Sequence, residues 1–160
     1  MIYLQIADSL STGQTGSPAQ IDNLLLEQTA RQVLLFTQSD PAVDASIVLT
    51  DDAQLHALDL QFLGIDAPTD VLAFPSDETD PDSGAAYLGD VIISYPRAQG
   101  QAASGGYGVT AELQLLVVHG LLHLLGYDHA RSEQKTAMWA AQAEILAQVG
   151  CPIRGPVDSE

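Results

Sequence analysis

Basic side chains are scarce. The chain of 160 residues carries five Lys and Arg against 21 Asp and Glu, a formal net charge of −16 at pH 7. That balance favours solubility and opposes the long-range attraction that draws proteins onto nucleic-acid backbones. Cysteine is nearly absent: Cys151 is alone. One thiol builds no disulfide framework and suits a reducing cytosol. Long apolar runs are missing too. The longest, around 115–125, falls well short of the roughly 20 residues that span a bilayer, and histidines interrupt it, so no membrane association is expected. The opening MIYLQIADSL has neither a basic n-region nor a long apolar core. No secretory leader is expected, and the location implied is cytoplasmic.

What is present is enough for one core. The chain is 46% hydrophobic, and one of this size can bury roughly 70% of the surface its unfolded form exposes. We expect one domain over 1–150 and a C-terminal tail over 151–160.

Residues 2–7 alternate apolar and polar, as a half-buried strand does. A turn-rich STGQTGSP follows. Ser17 and Pro18 suit the cap and first position of a helix reaching about Thr37. Its expected inner face is Ile21, Leu24, Leu25, Ala30, Val33, Leu34 and Leu35. SIVLT (46–50) reads as a second strand. Asp51 and Asp52 suit the start of a helix that ends at Gly64. Residues 71–74 and 88–95 read as a third and a fourth strand, joined as a hairpin across an acidic loop. Residues 96–107 mix Gly, Ala and Ser and give no clear assignment. VTAELQLLVVHGLLHLL (109–125) is nearly all apolar, as a buried helix is. A last helix carries Met138, Trp139, Ala141, Ile145 and Leu146 inward. The expected class is α+β: a small mixed four-stranded sheet packed with four to five helices.

Three of the four histidines fall in HGLLHLLGYDH, 119–129. His119 and His123 are four apart, so a helix stacks them on one face. Gly126 breaks the helix, and the turn can bring back His129. Three protein ligands and one open position are the layout of catalytic zinc, whose bound water has a pKa of about 7. Burying unpaired imidazoles instead costs roughly 1–3 kcal/mol each. The alternatives are hydrogen-bonded core histidines or a structural metal. Asp128 can support a ligand histidine or act as a turn acid. Asp70 can orient the site or cap the turn after Pro68. His56 is expected in solvent, and Tyr127 and Trp139 in packing.

The spacing matches the metzincin pattern H-E-x-x-H-x-x-G-x-x-H with one difference. The glutamate base of those proteases is here Gly120. The cradle for a metal is kept, and the proton acceptor is gone.

The same stretch resembles the YbeY family of metal-dependent endoribonucleases, whose motif reads H-G-x-L-H-L-x-G-Y-D-H. PTDVLAFP (68–75) is close to that family's P-T-D-V-L-S-F, and LGDVIIS (88–94) to its L-G-D-I. The resemblance implies an α+β fold with a zincin-like metal site on the buried helix. It implies one Zn²⁺, or another divalent metal, on His119, His123 and His129. Asp128 and Thr69-Asp70 would support the site. It further implies cleavage of single-stranded RNA in 16S rRNA maturation and ribosome quality control, with rRNA, the ribosome and assembly-factor proteins as partners.

The chain also departs from that pattern. Where the family reads L-N-x-x-Y-R, this sequence has Leu58-Asp59-Leu60-Gln61-Phe62-Leu63. A guanidinium can clamp a phosphate and offset charge that builds in phosphoryl transfer; Leu63 can do neither. The serine of the strand motif is Ala73. Arg97 is a possible replacement for the clamp. Two other readings therefore stand beside the nuclease: a ribosome-assembly protein that keeps its metal for stability, and a metallohydrolase of another substrate such as a peptide.

Overall fold

The computed structural model describes residues 1–11, 21–67, 69–128 and 130–153. Four strands form one sheet in the order β1-β2-β4-β3. They are β1 (Ile2–Ile6), β2 (Asp44–Thr50), β3 (Val71–Pro75) and β4 (Tyr87–Ser94). β1, β2 and β4 run parallel, and β3 returns antiparallel to β4. The expected hairpin is therefore present in a mixed sheet. β-branched residues fill the paired positions that face the helices, with Ile47, Val91 and Ile93 fully buried, as suits a pleated surface with packing on it.

The helices are a one-turn α1 (Asp8–Ser11), α2 (Asn23–Phe36), α3 (Asp52–Leu58), α4 (Tyr95–Gly105), α5 (Val109–Leu124) and α6 (Ser132–Gln148). A π-helical turn, Asp59–Leu63, follows α3 directly. Mixed α+β architecture with four strands and five longer helices agrees with the expectation. Among the described residues no helix is long and apolar enough to cross a membrane.

Several boundaries moved. α2 starts at Asn23, not near Ser17, because the Asp22 carboxylate accepts the Leu25 N–H at 3.0 Å and caps it there; residues 12–20 lie outside the described part. The inner face of α2 is Leu26, Thr29, Ala30, Val33 and Leu34. Leu24 and Leu35, expected inside, are 64% and 69% exposed. α4 occupies most of the stretch that composition left open. Ser94 caps it through its hydroxyl, and Pro96 sits in its first turn, where no N–H is needed.

α5 is the axis of the molecule. It packs against α2, α4, α6, β3 and β4. Every residue from Ala111 to Leu122 is buried, as the near-continuous apolar run demands. Each fully buried leucine there, Leu116 and Leu121 among them, contributes roughly 1.5–3 kcal/mol. Polar residues on α5 are answered from neighbouring helices: Gln114 donates to the Thr29 hydroxyl on α2 at 3.1 Å. Cys151, the first residue of the expected tail, is buried, and its N–H donates to Leu146 O at 2.9 Å. Residues 154–160 lie outside the described part.

Candidate active site

The last two turns of α5 carry His119 and His123 onto one face, with ring centroids 4.7 Å apart and planes at 75°. His119 is fully buried, while His123 is partly exposed. His119 Nδ1 lies 3.1 Å from Gln142 Oε1 on α6. An amide oxygen only accepts, so Nδ1 carries the hydrogen and Nε2 the lone pair. That is the tautomer a metal ligand needs, fixed by a neighbour on another helix. Trp139, about one turn before that glutamine on α6, lies with its ring centroid 5.8 Å from His119 and is partly buried.

α5 ends at Leu124, and Gly126 takes φ 98° in the turn that follows. That conformation costs little only for glycine. His129 lies outside the described residues. Among the described residues no group of three His, Cys, Asp or Glu could hold a metal ion. His119 has the tautomer that a metal ligand needs and stands beside His123 on one helix face, and the chain turns at Gly126 three residues before the expected third ligand.

Both imidazoles open on a cleft of ≈ 490 Å³ between α5, the π-helical turn and β3. Its lining includes Asp59, Leu63, Thr69, Ala73 and Gly120. No Lys or Arg is among the described residues that line it. Leu63, at the position where the family pattern carries arginine, lines this cleft and is 54% exposed. Asp59 is 3% exposed and is the only carboxylate among the described lining residues. In the sequence Asp59 stands out only as a departure from the family's asparagine, with no sign of a role.

Gly120 proves to be a packing requirement. A Cβ there would lie 2.5 Å from Val91 Cγ1 on β4. The helix is pressed onto the sheet at this residue, so the glutamate of the protease pattern has no room.

The other candidates separate from the cleft. Asp70 is fully buried, lies outside the cleft lining, and accepts a 3.4 Å hydrogen bond from Gln101 Nε2 on α4. The same amide donates to Glu112 at 2.8 Å, and Tyr107 donates to that carboxylate at 2.5 Å. Asp70 thus belongs to a polar network under α4 and α5. Asp128 is exposed and is not a lining residue. Arg97 is committed to Asp52, with Nε–Oδ1 at 2.9 Å and Nη2–Oδ2 at 3.1 Å. That two-point hydrogen bond holds the Asp52 carboxyl below the ordinary carboxylate range, against the opposing effect of burial. His56 pairs with Asp66 at 2.6 Å and is half-exposed, as expected for a solvent-facing histidine.

Residues 12–150 match the family model described as Endoribonuclease YbeY. The chain belongs to the YbeY family. Relatives of the same name include one from Roseiflexus sp. (strain RS-1), 44% identical, covering 82% of this chain and 86% of its own. One from Chloroflexus aggregans is 42% identical, covering 82% and 90%. One from Desulfitobacterium hafniense is 40% identical over 93% and 98%. The solution structure of TM1509 from Thermotoga maritima shares the fold, with a TM-score of 0.56 at 23% identity over 99% of this chain and 97% of that one. Membership accounts for the histidine motif and the two strand motifs together. Within the family pattern, the departures at Asp59, Leu63 and Ala73 all fall on the cleft lining.

Proposed function

We propose that this chain is a metal-dependent endoribonuclease, hydrolysing phosphodiester bonds of single-stranded rRNA in 16S rRNA maturation and ribosome quality control in the cytoplasm. The observation that carries the reading is the pair His119–His123. Its rings stand 4.7 Å apart at the end of a buried helix and open on a cleft. The relatives' printed names supply the substrate class. His119, His123 and His129 would hold one Zn²⁺ or another divalent ion. A metal so held supplies Lewis acidity toward a phosphoryl oxygen and lowers the pKa of water. Gln142 keeps the His119 tautomer correct. Leu63, Ile65 and Ala67 give that part of the cleft wall apolar contact surface for the substrate. Metal-loaded protein should cut single-stranded rRNA fragments, and His123→Ala should abolish the cut. Failure of the wild type with zinc, manganese and magnesium in turn would overturn the reading.

One observation favours a second reading, a non-catalytic ribosome-assembly protein that keeps the metal for stability. Leu63 lines the cleft where the family pattern carries arginine, and Arg97 is held by Asp52. RNA binding without cleavage, with a large loss of thermal stability on chelation, would support it.

A further inference from the structure

Asp59 is the first residue of the π-helical turn. It is 3% exposed, yet it lines the cleft together with His119 and His123. No Lys or Arg among the described residues lines the same cleft. A carboxylate this enclosed, with no cation beside it in the cleft lining, is costly, and proteins retain one where it meets a metal, a water or a substrate proton. Asp59 does not complete a three-residue ligand set with the two imidazoles. It shares the cleft lining with them without joining them as a third ligand. At the position where related metal-hydrolase motifs place their base, Gly120 is locked against Val91.

We propose that Asp59 is the proton acceptor for the attacking water, the role that Gly120 cannot fill. The proposal rests on the hydrolytic reading above. In the step, a water O–H bond breaks and its proton passes to the Asp59 carboxylate. The water oxygen forms the new bond to phosphorus. The P–O bond to the leaving ribose oxygen breaks, and that oxygen takes the electron pair and then a proton from solvent. A general base of this kind contributes typically 10²–10⁴-fold.

The test compares wild type with Asp59→Asn, which keeps the shape and removes the charge. Three quantities are read: steady-state cleavage of a single-stranded RNA fragment, zinc affinity by competition with a chromogenic chelator, and Tm of the metal-free protein. The expected result is a kcat lower by roughly 10²–10⁴-fold, with KM and zinc affinity unchanged and Tm raised. A variant that keeps its kcat overturns the proposal while the nuclease reading stands. A variant whose zinc affinity falls tenfold or more also overturns it, because Asp59 is then a ligand. A wild type that cuts no RNA removes both.

Discussion

His119 on α5 and Gln142 on α6 meet at 3.1 Å, and both are fully buried. The contact joins the helix that carries the candidate ligands to the last helix of the fold. It also decides which imidazole nitrogen has a lone pair to offer. Removing such a partner typically costs 10–100-fold in metal affinity. Gln142→Leu is near in size and cannot accept a hydrogen bond. It should weaken zinc binding by about that factor, as a chelator competition would read. Equal affinity in the variant would show that packing alone orients the ring, with His123 at 4.7 Å and Trp139 at 5.8 Å as its ring neighbours.

Gly120 predicts an inversion of the usual helix rule. Replacing a mid-helix glycine by alanine ordinarily gains about 1 kcal/mol. Here the new methyl group would stand 2.5 Å from Val91 Cγ1. Val91 is fully buried, and a valine on a strand is stiff at χ1, so it cannot turn aside. Overpacking of this kind costs about 1–3 kcal/mol. Gly120→Ala should therefore lower Tm by several degrees, at about 2–4 °C per kcal/mol for a chain of this length. Adding Val91→Ala should recover part of the loss, because the two residues share one space. A Tm that rises in the single variant would contradict the close approach of α5 to β4.

The Asp52–Arg97 pair makes a prediction about pH and another about chemistry. Asp52 has its pKa depressed in the folded protein, chiefly by the hydrogen bond from Arg97. A depressed carboxylate stabilises the fold above its unfolded pKa of about 3.9 and loses that contribution as pH falls through the folded value. Both side chains are more than a third exposed, at 35% for Arg97 and 42% for Asp52, so the pair is worth at most about 1 kcal/mol. Arg97→Ala should thus lower Tm slightly at pH 7, and the gap to wild type should close below about pH 4. Cleavage of RNA should hardly change, since Arg97 is already paired and is not a lining residue of the cleft. A large loss of RNA affinity would instead make Arg97 the phosphate clamp.

These residues also show how far the sequence could be read. The helix that carries the histidine pair was legible because nearly every residue of α5 is apolar, and two histidines four apart are conspicuous there. The strands and the β3–β4 hairpin were legible from β-branched runs and turn residues. α2 ends where the sequence puts it but starts at Asn23, and it is faced wrongly at two positions: consecutive leucines at 24–26 fit either side of a helix, and only packing chooses Leu26. α4 was missed although its signal was present, a serine two residues before a proline at 94–96. Gln142 was also findable, as the one amide inside the apolar stripe of Met138, Ala141, Ile145 and Leu146. Asp59 was not, because it sits on a π-helical turn, and widened hydrogen bonding shifts which residues share a face. The reason for Gly120 was out of reach, since Val91 lies 29 residues away and meets it only in the fold.

Leu63 gives the last prediction. It is exposed at the cleft wall, so Leu63→Arg replaces apolar surface without opening the core. Its Tm should stay near that of wild type, because exposed substitutions usually shift stability by less than about 0.5 kcal/mol. The new guanidinium would face the same cleft as the two imidazoles. There it can grip a phosphate at two points, and it partly offsets the negative charge that Asp59 brings. RNA should bind more tightly, with a steeper salt dependence, each phosphate contact adding about one unit to the log–log slope. Filter binding at several salt concentrations with the His123→Ala background separates this from turnover. If kcat rises together with affinity, the wild-type leucine limits catalysis and the chain has been tuned down from an efficient nuclease. If affinity rises and kcat does not, binding charge is not what the cleft is short of, and the limiting group is a proton acceptor or the metal itself.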